Sequence, residues 1–142
     1  MKALITLPNG KKFSGESTCD LNELDGEPII FTEAQHAQKV LGDSGMKGKI
    51  IIFAYPGTAQ CGLEKPSPSK NYPSAAIVSG TGETALREGM LSLSSYCEKA
   101  GITLLNKVDT RGLIQELRSA GRPKQTIHIE PVKADKGENI YA

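Results

Sequence analysis

The sequence predicts an α/β domain whose strands run in mixed directions. Three observations carry that prediction. Ile50-Ile51-Ile52-Phe53-Ala54 is a short apolar run between Gly48 and Pro56-Gly57, with three β-branched residues in succession. A run that short and that apolar reads as a strand buried on both faces, which needs layers above and below it. Near the N-terminus, Asn9-Gly10 separates two strand-like segments, a strong signal for a tight hairpin. Downstream, brief apolar stretches alternate with helix-periodic ones, the pattern of an α/β chain.

Taken in order, residues 2–7 read as the first strand and Pro8-Asn9-Gly10 as its turn. Residues 11–17 return as the second strand, with Phe13 facing inward. Residues 18–26 are polar and acidic and are expected to form a loop. Glu27-Pro28-Ile29-Ile30-Phe31-Thr32 reads as a third strand, with its proline near the start, where the missing N–H is tolerated. Thr32 is placed to cap a helix over residues 33–41, with Ala34, Ala37, Val40 and Leu41 on one face. Gly42-Asp43-Ser44-Gly45 ends that helix, and the central strand follows.

Residues 57–73 contain Pro66, Pro68 and Pro73 and read as a long loop, a length usually tied to function or mobility. Ala75-Ala76-Ile77-Val78 is a further strand. Residues 84–100 read as the longest helix: Leu86, Met90, Leu93 and Cys97 share a face, and Gly101 sits where a glycine cap belongs. Residues 102–105 form a strand. Asp109 or Thr110 then caps a helix with Leu113, Ile114 and Leu117 as its apolar stripe, ending at Ala120-Gly121. Residues 125–129 supply the last strand. The domain is expected to occupy residues 1–130, with 131–142 as a polar tail.

Composition narrows the function classes. At 142 residues, 38% hydrophobic and 23% charged, the chain suits one ordinary domain. Seventeen basic and sixteen acidic residues leave a net charge of +1, which offers no field to steer nucleic acid or an anionic membrane. Tryptophan is absent and aromatics make up 5%, which argues against a base-stacking platform. No apolar run approaches the roughly 20 residues of a membrane span. The opening segment is too short for a signal-peptide core, so the expected location is cytoplasmic. Cys19, Cys61 and Cys97 are odd in number and far apart. They predict reduced thiols and neither a disulfide framework nor a zinc knuckle.

Several of these stretches, in this order, resemble the N-terminal domain of the carbamoyl phosphate synthetase small subunit. Lys2-Ala3-Leu4-Ile5, Asn9-Gly10 and Phe13-Ser14-Gly15-Glu16-Ser17 are similar to that family's first hairpin. Gly48-Lys49-Ile50 and Phe53-Ala54-Tyr55-Pro56 are similar to its central strand and Tyr-Pro turn. Gly101-Ile102, Val108-Asp109-Thr110-Arg111-Gly112-Leu113, Leu117-Arg118 and Gly121 continue in step, to about residue 127. The resemblance implies a three-layer β/β/α domain and an arginine or pyrimidine biosynthesis setting. It further implies a non-catalytic role, in which the domain contacts a large synthetase subunit while a separate amidotransferase domain hydrolyses glutamine. The family's Thr-Gly-Tyr-Gln-Glu helix start is replaced here by Gln35-His36-Ala37-Gln38-Lys39, which keeps only the glutamine. The 142 residues hold no amidotransferase domain, which leaves a fragment or a diverged stand-alone relative, and the changed helix start favours the diverged relative.

Three constellations and two single residues have both a functional and a plainer reading. Cys61, His128 and Glu130 supply the residue types of a thiol glutaminase. Cys61, however, lies between Ala59-Gln60 and Gly62-Leu63 and lacks the Gly-x-Cys-x-Gly elbow, so a loop thiol is favoured. Gly80-Thr81-Gly82-Glu83-Thr84-Ala85 fits G-x-G-x-x-A between a strand and a helix, with Asp109 as a ribose acid. Glu83 would put negative charge in that phosphate cradle, so nucleotide binding is kept as the alternative function. Asp109 and Arg111 are read first as helix cap and neighbour, and second as a partner contact. His36 reads as a surface residue and Cys97 as core. The expectation is a protein-interaction module, not an enzyme on its own, with no catalytic, cofactor or metal residue. Its expected partner is a synthetase large subunit or a separate amidotransferase, with no nucleic acid and no membrane.

Overall fold

The computed structural model describes residues 1–17, 20–33, 37–55, 62–67, 71–80, 89–119 and 125–132. Their strands are β1 (Lys2–Thr6), β2 (Lys12–Ser17), β3 (Leu24–Gly26), β4 (Pro28–Phe31), β5 (Ile50–Phe53), β6 (Ala75–Ile77), β7 (Thr103–Asn106) and β8 (Ile127–Pro131). Their α-helices are α1 (Ala37–Leu41), α2 (Leu93–Ala100) and α3 (Thr110–Ser119). A single turn of 3-10 helix, Ser44–Met46, follows α1, with Asp43 accepting from the Gly45 N–H at its start.

All eight strands hydrogen-bond into one sheet in the order β3-β8-β1-β2-β7-β6-β5-β4. Its first half is antiparallel and its second half, β7 to β4, is parallel. The mixed α/β architecture expected from the sequence is therefore present. The two halves meet where β2 pairs antiparallel with β7, through Glu16 opposite Asn106 and Ser17 opposite Leu105.

Period-two alternation sorts the parallel strands between two apolar clusters. Ile50 and Ile52 face one cluster, with Ala75, Ile77 and Leu105; Ile51 and Phe53 face the other, with Ala76, Val78 and Leu104. The first cluster also takes Ala3 and Ile5 of β1, Ile127 and Ile129 of β8, and Leu113, Ile114 and Leu117 of α3. The second takes Ala37, Val40 and Leu41 of α1 and Leu93, Tyr96 and Cys97 of α2. Strand β5 is thus buried on both faces, as its sequence demands. It lies one strand in from the edge, with β4 outside it, rather than at the centre of the sheet.

Local signals placed several boundaries. Gly10 takes φ +88 in the β1–β2 turn and Gly101 takes φ +78 as the αL cap of α2. Asp109 starts α3, its Oδ1 accepting from the Gly112 N–H at 3.1 Å. The turn of the hairpin is tied to α3 as well: Lys11 Nζ lies 3.0 Å from Glu116 Oε2, and Asn9 also reaches Glu116.

Other expectations need correction. The supposed loop over residues 18–26 contains β3, which pairs with β8, and Leu21, which is buried in the core. The long helix does not run from residue 84 through to 100. Gly89 adopts φ +87, Leu91 forms a bridge with Leu63, and Ser92 caps a helix that begins at Leu93. Met90 is therefore not on a helix face, and α2 is 8 residues long, about two turns. Glu33 is not helical, and β7 and β8 each sit one to two residues later than expected. Ala34, His36, Cys19, Leu86 and, within the segment 57–73, residues 57–61 and 68–70 lie outside the described residues. So do Ala120-Gly121 and the tail from residue 133; Pro131 pairs with Ala3.

Gly15 in β2 is a close-approach position. A Cβ there would meet Val108 Cγ2 at 2.5 Å and the Asn106 carbonyl oxygen at 3.2 Å. Because one of those neighbours is backbone, the strain cannot be relieved by a rotamer change alone. Gly15→Ala is expected to destabilise the domain by about 1–3 kcal/mol, measured by chemical denaturation; an unchanged midpoint would contradict the packing described.

Candidate functional site

Parallel strands bring their C-terminal ends to one edge of the sheet, where open α/β folds hold what they bind. Here β5 runs out into Ala54 and Tyr55, and β6 into Val78 and Ser79. Beyond β7, Lys107 takes φ 59 and turns the chain, and the Val108 N–H bonds the Val78 carbonyl at 3.2 Å. That bond sets α3 across the strand ends. Between α3 and the strands opens a cleft of about 1080 Å³. Tyr55, Ser79, Asp109, Thr110, Arg111 and Arg118 are among the residues that line it.

The charged lining of the cleft, Asp109, Arg111 and Arg118, comes from α3 and its cap, while Ala54, Tyr55 and Ser79 line the strand side. Arg111 and Arg118 are seven residues apart on α3, hence on one face two turns apart. Both are exposed, and among the described residues neither makes an ion pair or a side-chain hydrogen bond. Thr110 is buried at 5% exposure, and Tyr55 keeps half of its surface in solvent. Asp109 spends one carboxylate oxygen on the helix cap.

The sequence-predicted contact residues Asp109 and Arg111 therefore stand together at this cleft. Gly80 follows Ser79 in the chain, while the rest of the glycine-rich stretch, residues 81–85, lies outside the described residues. Arg118 and Tyr55 were not singled out as site residues. Arg118 was legible as the i+7 partner of Arg111; Tyr55 and Ser79 join the cleft only through the parallel pairing of β5 with β6.

A second constellation lies at the other end of the sheet. Along β8, Ile127 and Ile129 point into the core, so His128 and Glu130 share the opposite face. Antiparallel pairing sets Asp25 directly opposite His128. His128 Nδ1 lies 2.5 Å from Asp25 Oδ1, and Nε2 lies 3.0 Å from Glu130 Oε2 and 3.8 Å from Glu23 Oε1. The hydrogen bond to Asp25 raises the His128 pKa, aided by the neighbouring carboxylates and opposed by partial desolvation. Cys61, the thiol of the glutaminase constellation, lies outside the described residues; His128 and Glu130 are in contact with each other at the β3–β8 edge.

A raised folded-state pKa means that His128 takes up its proton more readily in the folded chain than in the unfolded one. Its stabilising contribution is complete below the unfolded value near 6.5 and is lost as pH rises through the higher folded value. An NMR titration of the His128 ring is expected to show a midpoint above 6.5, and Asp25→Asn is expected to lower it. A wild-type midpoint at or below the ordinary value would contradict the geometry.

Residues 5–127 match the family described as carbamoyl-phosphate synthase small chain, CPSase domain, and the chain belongs to that family. Among its relatives is the carbamoyl phosphate synthase arginine-specific small chain of Geobacillus stearothermophilus. That protein is 37% identical, over 96% of this chain and 40% of its own length. The arginine-specific small chain of Bacillus subtilis is 34% identical, over 89% of this chain and 36% of its own. The chain thus spans about two fifths of the length of these curated relatives. An aminopeptidase structure from Aneurinibacillus covers 90% of this chain and 30% of its own, at 14% identity and a TM-score of 0.47; that likeness is too low to carry an argument. No described helix is long and apolar enough to cross a membrane.

Proposed function

We propose that this domain is a protein-interaction module of the carbamoyl phosphate synthase small-chain type, itself non-catalytic, and that its partner is a synthase large subunit. The observation that carries the proposal is the α3 face of the cleft. The family match runs through it, from Val108 to Arg118. It presents two exposed arginines, Arg111 and Arg118, with no ion-pair partner among the described residues. Arginine is enriched at the anchoring positions of protein interfaces, because its planar guanidinium can bond a carboxylate twice while its stem packs on apolar surface. Tyr55, exposed across the cleft, adds the aromatic area such interfaces favour.

A β/β/α layering belongs to the same reading. It is supported by the sharing of one apolar cluster between Ile5, Ile127 and Ile129 of the antiparallel strands and Ile50, Ile52 and Ile77 of the parallel ones. In this arrangement the antiparallel half lies over one face of the parallel half, and α1 and α2 cover the other.

The test is binding of the purified chain to a carbamoyl phosphate synthase large subunit, by calorimetry or co-elution. A complex is expected, and Arg111→Ala with Arg118→Ala is expected to weaken it by about tenfold or more, the scale of an interface anchor. Failure to bind, together with a rise in thermal midpoint on adding ATP, would replace the module reading with the nucleotide-binding one.

A further inference from the structure

We infer that Glu23, His128 and Glu130 form a site for one divalent first-row transition ion of the zinc class. The site lies at the β3–β8 edge of the sheet, and the inference stands whether or not a large subunit docks at α3. Glu23 Oε1, His128 Nε2 and Glu130 Oε2 come from two backbone segments, and one ligand atom from each of these residues lies within 4.8 Å of the others. Around a tetrahedral zinc ion with bonds of about 2.0–2.2 Å, neighbouring ligand atoms sit about 3.4 Å apart. The two separations from Nε2, 3.0 Å and 3.8 Å, bracket that spacing. His128 and Glu130 are fixed by the strand on which they alternate with core residues. Glu23 is exposed and precedes β3, so its side chain can adjust to complete the set.

A proton on Nε2 can be donated to Glu130 at 3.0 Å, but Glu23 at 3.8 Å is beyond hydrogen-bond reach. An ion on the Nε2 lone pair reaches both carboxylates at once. Among the described residues, the ion-pair partner of Glu23, Asp25 and Glu130 is His128 alone. Three carboxylates thus face one imidazole, and a divalent cation supplies the missing charge. Asp25 completes the arrangement from behind. By accepting from Nδ1–H it holds the tautomer in which Nε2 is free to bind metal, the role carboxylates play behind zinc-bound histidines. One imidazole nitrogen in the set favours a transition ion over magnesium or calcium, which take oxygen donors.

The experiment is a calorimetric titration of the chelator-treated chain with zinc chloride, repeated with magnesium chloride. One zinc ion per chain is expected, with no saturable uptake of magnesium. His128→Gln and Glu23→Gln are each expected to weaken zinc binding by more than tenfold, and Asp25→Asn by about 10–100-fold, the scale of an outer hydrogen-bond partner. Glu23→Gln changes an exposed side chain outside the strands, so its metal-free thermal midpoint should match the parent and separate lost ligation from lost fold. Absence of saturable zinc uptake, equal uptake of magnesium, or zinc binding unchanged in both His128→Gln and Glu23→Gln would overturn the inference.

Discussion

Two residue pairs hold the halves of the sheet together: Glu16 opposite Asn106 and Ser17 opposite Leu105. The α3 side of the cleft is stacked on this junction. Gly15 comes so close to Val108 and to the Asn106 carbonyl that no Cβ fits. Directly after β7, Lys107 adopts a left-handed backbone conformation, which costs a non-glycine residue about 1–2 kcal/mol. Its ammonium reaches back to Glu16 at 3.5 Å, across the same junction. The sharp turn at Lys107 aims Val108 and Asp109 at the ends of β5 and β6 and so sets the angle of α3. Loosening the β2–β7 pairing would shift the helix, and with it both arginines.

The second constraint is burial on both faces of β5 and β6. Isoleucines at alternate positions feed opposite clusters, so neither face can be left to solvent without exposing a complete set. That requirement accounts for α1 and α2 on one side. On the other side it draws in α3 and the antiparallel strands. The hairpin turn contributes through Lys11 and Asn9, which bind Glu116 on the outer surface of α3.

Much of this was legible in the sequence because the signals were local. Asn9-Gly10, Gly101 and Asp109 each mark a backbone conformation or cap that a few neighbouring residues dictate. The five-residue apolar run announced β5 without help from the rest of the chain. What was not legible depended on distant partners. Nothing in Leu24-Asp25-Gly26 says strand; it is one because β8, about a hundred residues away, has an open edge to pair with. The helical periodicity through Leu86, Met90 and Leu93 was real but was overridden at Gly89 and Leu91, where a left-handed turn and a bridge to Leu63 take precedence. The sites divide the same way. His128 and Glu130 share a face by simple alternation, while Asp25 joins them only through the β3–β8 register. Asp109, Arg111 and Arg118 follow from one helix, while Tyr55 and Ser79 need the sheet.

The central claim is that the β2–β7 junction makes the antiparallel and parallel halves one cooperative unit. Native-state hydrogen exchange in low denaturant tests it most directly, because it reports the opening free energy of each strand separately. The amides of β1 and β2 are expected to open with the same free energy as those of β5 and β6, and with the same dependence on denaturant. Exchange of the antiparallel strands at a distinctly lower free energy, with β5 and β6 still protected, would show that the halves unfold independently and would contradict the account.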